Sequence, residues 1–144
     1  MNKKQNNYTF EEHFKVRDYE CDLQGVVNNS VYQNYLEHTR HEFFKSIGLD
    51  FAALHYEGID AFVAKVEIRY RTPLRSGDRF VCRLKIEKKG KLSYIFYQDI
   101  YRLPDEKLIV QGIVTGTTTV NGRLAISEKV DRAFVEYINN HSSS

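Results

Sequence analysis

Cysteine is scarce in this 144-residue chain: the two residues, Cys21 and Cys82, match no metal-ligand spacing and need not pair. That usage suits a reducing compartment, and a cytoplasmic setting is expected. An excess of one charge is also missing. Twenty-one Lys and Arg against 19 Asp and Glu leave +2, too little to argue for nucleic acid as a partner. The interleaved charges leave room only for a local phosphate site. Long apolar runs are absent as well. Nothing approaches the ~18 apolar residues of a membrane span, so no membrane partner is expected. The opening MNKKQNNYTF lacks the apolar run of a signal peptide. No internal repeat, linker or low-complexity stretch appears beyond the terminal serines. What remains is ordinary globular usage, 42% apolar and 28% charged, in a chain sized for one core. A single domain over residues 1–144 is expected, with a core from about 10 to 130 and flexible termini.

Residues 10 to 20, FEEHFKVRDYE, read as a strand ending at a turn. From Ser30 the period changes: Tyr32, Tyr35, Leu36, Thr39, Phe43 and Ile47 recur at helical spacing. This predicts a helix from about Ser30 to Ser46, capped by Asn28, Asn29 or Ser30 and stopped by Gly48. LDFAALHYEG allows a second, short helical piece. The period then becomes two. Phe62, Ala64, Val66, Ile68 and Tyr70 alternate with polar neighbours, as in a half-buried strand. Phe80, Cys82, Leu84 and Ile86 do the same before the hairpin signal KKGK. LSYIFYQDIYR is apolar on both sides for much of its length, which predicts a central strand covered on both faces. LIVQGIVTGTTTV is the last strand, closed by Asn121 and Gly122. One strand, one long helix and four antiparallel strands make an α+β fold. One helix covers one face of such a sheet, so the leftover apolar surface and edge predict a homodimer or homotetramer.

Between the first strand and the helix lies CDLQGVVNN, residues 21 to 29. Asp, Gly and Asn are ordinary turn residues, so a turn acid is one reading of Asp22. The other is chemistry, because Asp22 precedes the helix start without being its cap. D-x-x-G-V-V from Asp22 to Val27, followed by Tyr32 and Glu37, resembles the 4-hydroxybenzoyl-CoA thioesterase family of hotdog-fold acyl-CoA thioesterases. IRYRTPLRSGDRF is similar to that family's second strand and following turn, with Pro73, Gly77 and Asp78 in place. The resemblance spans nearly the whole chain. It implies a hotdog fold, an antiparallel five-stranded sheet wrapped around one long central helix. It implies an acyl-CoA thioesterase with no cofactor, coenzyme A being part of the substrate; the apolar strand surface left uncovered places the expected site between subunits. The implied catalytic aspartate is Asp22, and the implied polariser of the thioester carbonyl is the backbone N–H of Asn29. The chain departs from the family at Asn28 and Asn29, where a ring is frequent, and at Val31, where asparagine is frequent. In that family those positions lie near the acyl group, so the departures bear on the substrate more than on the reaction.

The residues themselves fit that chemistry. An unperturbed Asp, with a pKa near ~3.9, is ionised at neutral pH and can attack directly or activate water. Unpaired helix N-terminal N–H groups aimed at a carbonyl oxygen are worth on the order of 3–4 kcal/mol each in the transition state. Gly25 lets the backbone turn closely between the two. Asn28, Val31 and Tyr32 are candidates for the acyl side, although Tyr32 also reads as core. Arg69, Arg71, Arg75 and Lys89 are candidates for the coenzyme A phosphates, each also readable as a solvated charge. Glu37 reads either as a surface partner of Arg40 or His41, or as a group that orients Asp22. Cys21 adjoins Asp22 but has no histidine placed near it, and no metal cluster is visible. A non-catalytic acyl-CoA-binding module and an acyl carrier protein thioesterase are the alternatives.

Overall fold

The computed structural model describes residues 7–141. Its centre is α1 (Asn29–Ser46), which buries Tyr32, Tyr35, Leu36, Thr39, Arg40, Phe43 and Phe44 along one stripe. The helix stops where the sequence says it should. Gly48 takes a positive φ of 79°, while the Gly48 and Leu49 N–H groups donate to Lys45 O and Phe44 O. That is a Schellman stop, in which glycine occupies the left-handed position without a Cβ clash. A short α2 (Phe51–Tyr56) follows, capped by the Asp50 carboxylate on the Ala52 and Ala53 N–H groups.

The strands are β1 (Phe10–Lys15), β2 (Ile59–Tyr70), β3 (Arg79–Lys89), β4 (Ser93–Leu103), β5 (Lys107–Val120) and the two-residue β6 (Arg123–Leu124). They form one antiparallel sheet in the order β1-β3-β4-β5-β2, with β6 on β5, so the expected five strands gain a short sixth. The sheet curls over α1. Phe80, Cys82, Leu84 and Ile86 of β3 all turn inward, as their alternation predicts. Phe43, Phe80 and Leu84 are fully enclosed, each burial contributing about 1.5–3 kcal/mol. Helix and sheet approach closely at Gly112. A Cβ there would lie 2.9 Å from both Gln98 O and Leu36 Cδ1.

Four expectations need correction. The first strand ends at Lys15, not near residue 20, because Val16 leaves β3 to bond Asp78 O. Asp18–Glu20 then make a 3₁₀ turn held by Arg17 N–H on the Glu20 carboxylate, 2.8 Å. β2 is not half-buried: as the sheet's edge it leaves Phe62, Val63, Val66 and Tyr70 exposed. β4 is enclosed on the helix side at Tyr94, Phe96, Gln98 and Ile100, but its other face is only half-buried. Finally, the core does not close near residue 130. A third helix, α3 (Glu128–His141), sets Val130 and Phe134 against Phe43, Phe44, Tyr94 and Phe96. The flexibility expected of residues 1–6 and 142–144 lies outside the described residues.

Candidate active site

Residues 21 to 27 form a tight, pinned loop. Cys21 bridges Val27, Val26 bridges Arg75, and Val27 N–H donates to Leu74 O at 2.9 Å. Inside it, Asp22 N–H donates to Val26 O at 2.9 Å and Gly25 N–H to Asp22 O at 3.0 Å. Gly25 has φ 80°, a left-handed conformation that explains the glycine. Asn28 N–H donates to Glu20 O at 3.1 Å, so the loop runs directly into α1. Asp22 and the helix start are therefore neighbours on either side of the Cys21–Val27 bridge.

The two halves of the proposed chemistry have different local states. The Asp22 side chain is exposed, and its Oδ1 accepts from Gln24 N–H (2.8 Å) and Val26 N–H (3.3 Å). It is thus a turn acid, as the simpler reading held, yet Oδ2 takes no part in those bonds. The helix start is unspent. Asn28 is the N-cap but makes no side-chain cap bond, and the Asn29 and Ser30 N–H groups have no acceptor among the described residues. These donors sit at the positive end of the helix dipole, where a polarised oxygen is favoured. The Asn29 carbonyl is held by the Tyr70 hydroxyl at 3.3 Å, which ties the helix start to β2.

Of the other expected residues, Asn28 is exposed beside the loop and Val31 is partly buried against the core. Tyr32 is core: 2% exposed, with its hydroxyl accepting from Leu74 N–H at 3.0 Å and its phenol pKa raised by burial. It supports the loop from below and presents no face to a substrate in this chain. Arg75 stands on the loop through its bridge to Val26. Arg71 is held by Gln111 Oε1 at 3.1 and 2.8 Å, and Arg69 is exposed on β2. Lys89 lies ten residues along β3 from Arg79, roughly 30 Å by strand rise, so one chain does not bring it to Asp22.

The surface pair of Glu37 with Arg40 does not form. Arg40 turns inward and donates from one Nη to Gln98 Oε1 at 2.9 Å, both residues being buried. Gln98 donates in turn to Leu36 O at 2.9 Å. His38 faces Glu12 at 3.6 Å. The Cys21 thiol is pushed up by burial and then by the carboxylates of Asp18, Asp22 and Glu20, which makes it a poorer nucleophile. The buried Arg40–Gln98 pair was missed in the sequence. Its signal was there: Gln98 occupies an inward position in an otherwise apolar strand.

A curled antiparallel sheet wrapped on one long helix is the architecture of the hotdog thioesterase fold. The chain belongs to the thioesterase-like superfamily, whose family model matches residues 16–134. It is 35% identical over 130 residues to a chloroplastic acyl-acyl carrier protein thioesterase of Arabidopsis thaliana, covering 89% of this chain and 68% of that protein. A second such thioesterase from the same plant is 42% identical over 97 residues, covering 67% of this chain and 52% of the relative. The chain thus spans about two thirds of the first of these relatives and about half of the second. In fold it is similar to a 1,4-dihydroxy-2-naphthoyl-CoA thioesterase from Synechocystis, with TM-score 0.82 and 14% identity over 88% of this chain and 96% of that one. Among the described residues no helix is long and apolar enough to cross a membrane.

Proposed function

We propose that this chain hydrolyses an acyl thioester, with Asp22 as nucleophile or general base and the Asn29 N–H group polarising the carbonyl. One observation supports the reading: an exposed carboxylate and uncapped helix donors flank the Cys21–Val27 bridge on either side. As nucleophile, Asp22 adds to the thioester carbon, the thiolate leaves, and water cleaves the resulting anhydride. As base, Asp22 takes a proton from the attacking water, and the leaving thiolate is protonated in turn. Both routes build negative charge on the same oxygen, where each donor is worth about 3–4 kcal/mol.

The carrier we infer is coenzyme A, in keeping with the 4-hydroxybenzoyl-CoA thioesterase resemblance. The plant relatives favour acyl carrier protein as a second reading. We read the setting as cytoplasmic, whereas those relatives are chloroplastic. The unpaired, apolar edge β2 supports a homodimer or homotetramer in which that strand meets a second copy. Tyr70 links β2 to the helix start, which favours a site at the subunit boundary.

The test is thiol release from one acyl group carried on coenzyme A and on acyl carrier protein, by the wild type and Asp22→Asn. Asparagine keeps an oxygen for the Gln24 and Val26 N–H groups, so the loop survives. Loss of the base or nucleophile is expected to lower kcat by on the order of 10²–10⁴. A variant within a few-fold of wild type removes Asp22 from the mechanism.

A further inference from the structure

Two buried glycines lie inside β5, neither with a positive φ, and they are glycine for different reasons. At Gly112 a Cβ would lie 2.9 Å from both Gln98 O and Leu36 Cδ1, so packing excludes a side chain. At Gly116 a Cβ would stand 3.5 Å from Phe62 O and 3.7 Å from Phe96 Cε1, which are ordinary contacts. Alanine therefore fits at Gly116, and a glycine inside a strand lowers stability relative to alanine. What the missing side chain leaves is space. Gly116 lines an enclosed cavity of about 130 Å³ between α1 and the sheet, walled by Phe44, Phe51, Phe96, Val114 and Phe134. An apolar cavity of ~150 Å³ stays dry and admits a six-carbon ring. The polar residues around it spend their hydrogen bonds elsewhere. Arg40 donates to Gln98 at 2.9 Å, the Tyr94 hydroxyl to Asp131, and the Thr117 and Thr118 hydroxyls to Leu92 O and Ala125 O. The cavity suits an alkyl group and offers little to a polar one.

A strip of apolar surface joins this cavity to the helix start. In the β2–β5 register Tyr70, Val66 and Val63 lie opposite Val110, Val114 and Gly116, so they share the sheet face that carries α1. They nevertheless remain 47%, 38% and 46% exposed. The helix leans the other way, with Phe43 and Tyr35 packed on Phe10, Phe14 and Phe80 of β1 and β3. One end of the strip is Tyr70, whose hydroxyl donates to Asn29 O; the other is Val63, in the cavity wall. Two rulers agree on its length. α1 rises about 22 Å from Asn29 to Phe44 at ~1.5 Å per residue, and β2 advances about 23 Å from Tyr70 to Val63 at ~3.3 Å per residue. An extended alkyl chain, with C–C bonds of ~1.52 Å at ~111°, advances about 1.25 Å per carbon. From the helix start it needs on the order of ten carbons to reach the cavity at Glu37 and roughly 16 to fill it.

We propose that the acyl group is a linear, unsubstituted alkyl chain of about 10–16 carbons that lies along β2 with its methyl end in this cavity, and that Gly116 sets the length accepted. The proposal rests on the thioester-hydrolase reading and names its acyl class. An acyl group one aromatic ring long stops short of the cavity. A second copy on the β2 edge extends the sheet in its own plane, so the strip stays open toward α1.

The experiment measures kcat/KM for saturated acyl-CoA thioesters from butanoyl to octadecanoyl, below their micelle concentrations, with wild type, Gly116→Ala and Gly116→Val. Burying one methylene is worth up to about fourfold, so wild-type kcat/KM is expected to rise about tenfold or more from octanoyl to tetradecanoyl. Alanine, one methyl larger, should lower the tetradecanoyl-to-octanoyl ratio about fourfold, and valine about tenfold or more. The Tm of Gly116→Ala should equal or exceed that of the wild type, and this variant carries the test where valine over-fills the core. A ratio unchanged in both variants overturns the proposal. So does a wild type that prefers butanoyl or benzoyl thioesters. A lowered Tm in Gly116→Ala assigns the glycine to the backbone and overturns it as well. Calorimetry of octanoyl-CoA and tetradecanoyl-CoA binding separates the two readings. If the wild type hydrolyses nothing, yet binds the longer chain more tightly and Gly116→Val erases that preference, the cavity assignment stands and the hydrolase reading falls. If Asp22→Asn abolishes hydrolysis while the Gly116 variants keep the wild-type ratio, the cavity assignment falls and the hydrolase reading stands.

Discussion

Replacing Gln98 with leucine keeps the volume of a fully buried side chain but removes the acceptor for Arg40. Three bonds are lost: Arg40 Nη1 to Gln98 Oε1 and Gln98 Nε2 to Leu36 O, each 2.9 Å long, and a weak one from Gln98 Nε2 to Cys82 Sγ at 3.8 Å. The Leu36 carbonyl lies within α1 and keeps its helical donor, so its loss is small. Arg40 is 8% exposed, and burial already pulls its pKa down. A buried polar group left unsatisfied costs about 1–3 kcal/mol, more when charged, and leucine returns part of this through its apolar surface. The net cost is about 2–4 kcal/mol, or roughly 6–12 °C in Tm for a chain of this size. Replacing both residues, Gln98→Leu with Arg40→Met, removes the unpaired donor. The double variant is therefore expected within about 1–2 kcal/mol of wild type. Urea melts and scanning calorimetry at one fixed protein concentration measure both, since assembly makes Tm concentration-dependent. A Gln98→Leu cost under about 1 kcal/mol, or a double variant as unstable as the sum of the singles, refutes this account of the buried pair.

A lysine at Phe62 or Val66 on β2 puts a charge into the surface assigned to a second copy. Light scattering is expected to show the mass fall to that of one chain, and a wild type that is itself monomeric contradicts the β2 assignment. Burial pushes the Cys82 thiol up to about 12, while Cys21 is partly accessible. At pH 8 Cys82 should hold on the order of 10³-fold less thiolate than a free cysteine. Mass-resolved alkylation of the native protein should label Cys21 first and Cys82 only on unfolding. Equal rates would show that the β3 core opens.

The helix was legible because three signals agreed: the period from Tyr32 to Phe43, the asparagines before it and Gly48 after it. The inward residues of β3 were legible for the same reason. Asp22 was legible as a candidate, although its spacing from Asn29 gave no hint that Oδ1 also holds its own loop. β2 was misjudged because alternation reports which residues share a face, not whether anything covers that face. Its burial depends on what lies across an edge, and no local pattern encodes that. α3 was overlooked although Val130, Phe134, Tyr137 and Ile138 carry helical spacing, because the turn at Asn121 and Gly122 already looked like an end.

The two edges of the sheet are unlike, and that difference limits how far it can grow. β2 offers unpaired backbone flanked by Phe62, Val63 and Val66, which a strand from another chain can cover. β1 offers Glu11, Glu12, His13 and Lys15, and a neighbour docking there would have to strip water from every one of them. A chain with two welcoming edges would add copies without end, as fibres do. With one welcoming edge, the proposed pairing through β2 would close on itself and leave a hydrated rim at each end, so a sheet built that way would stop at two chains.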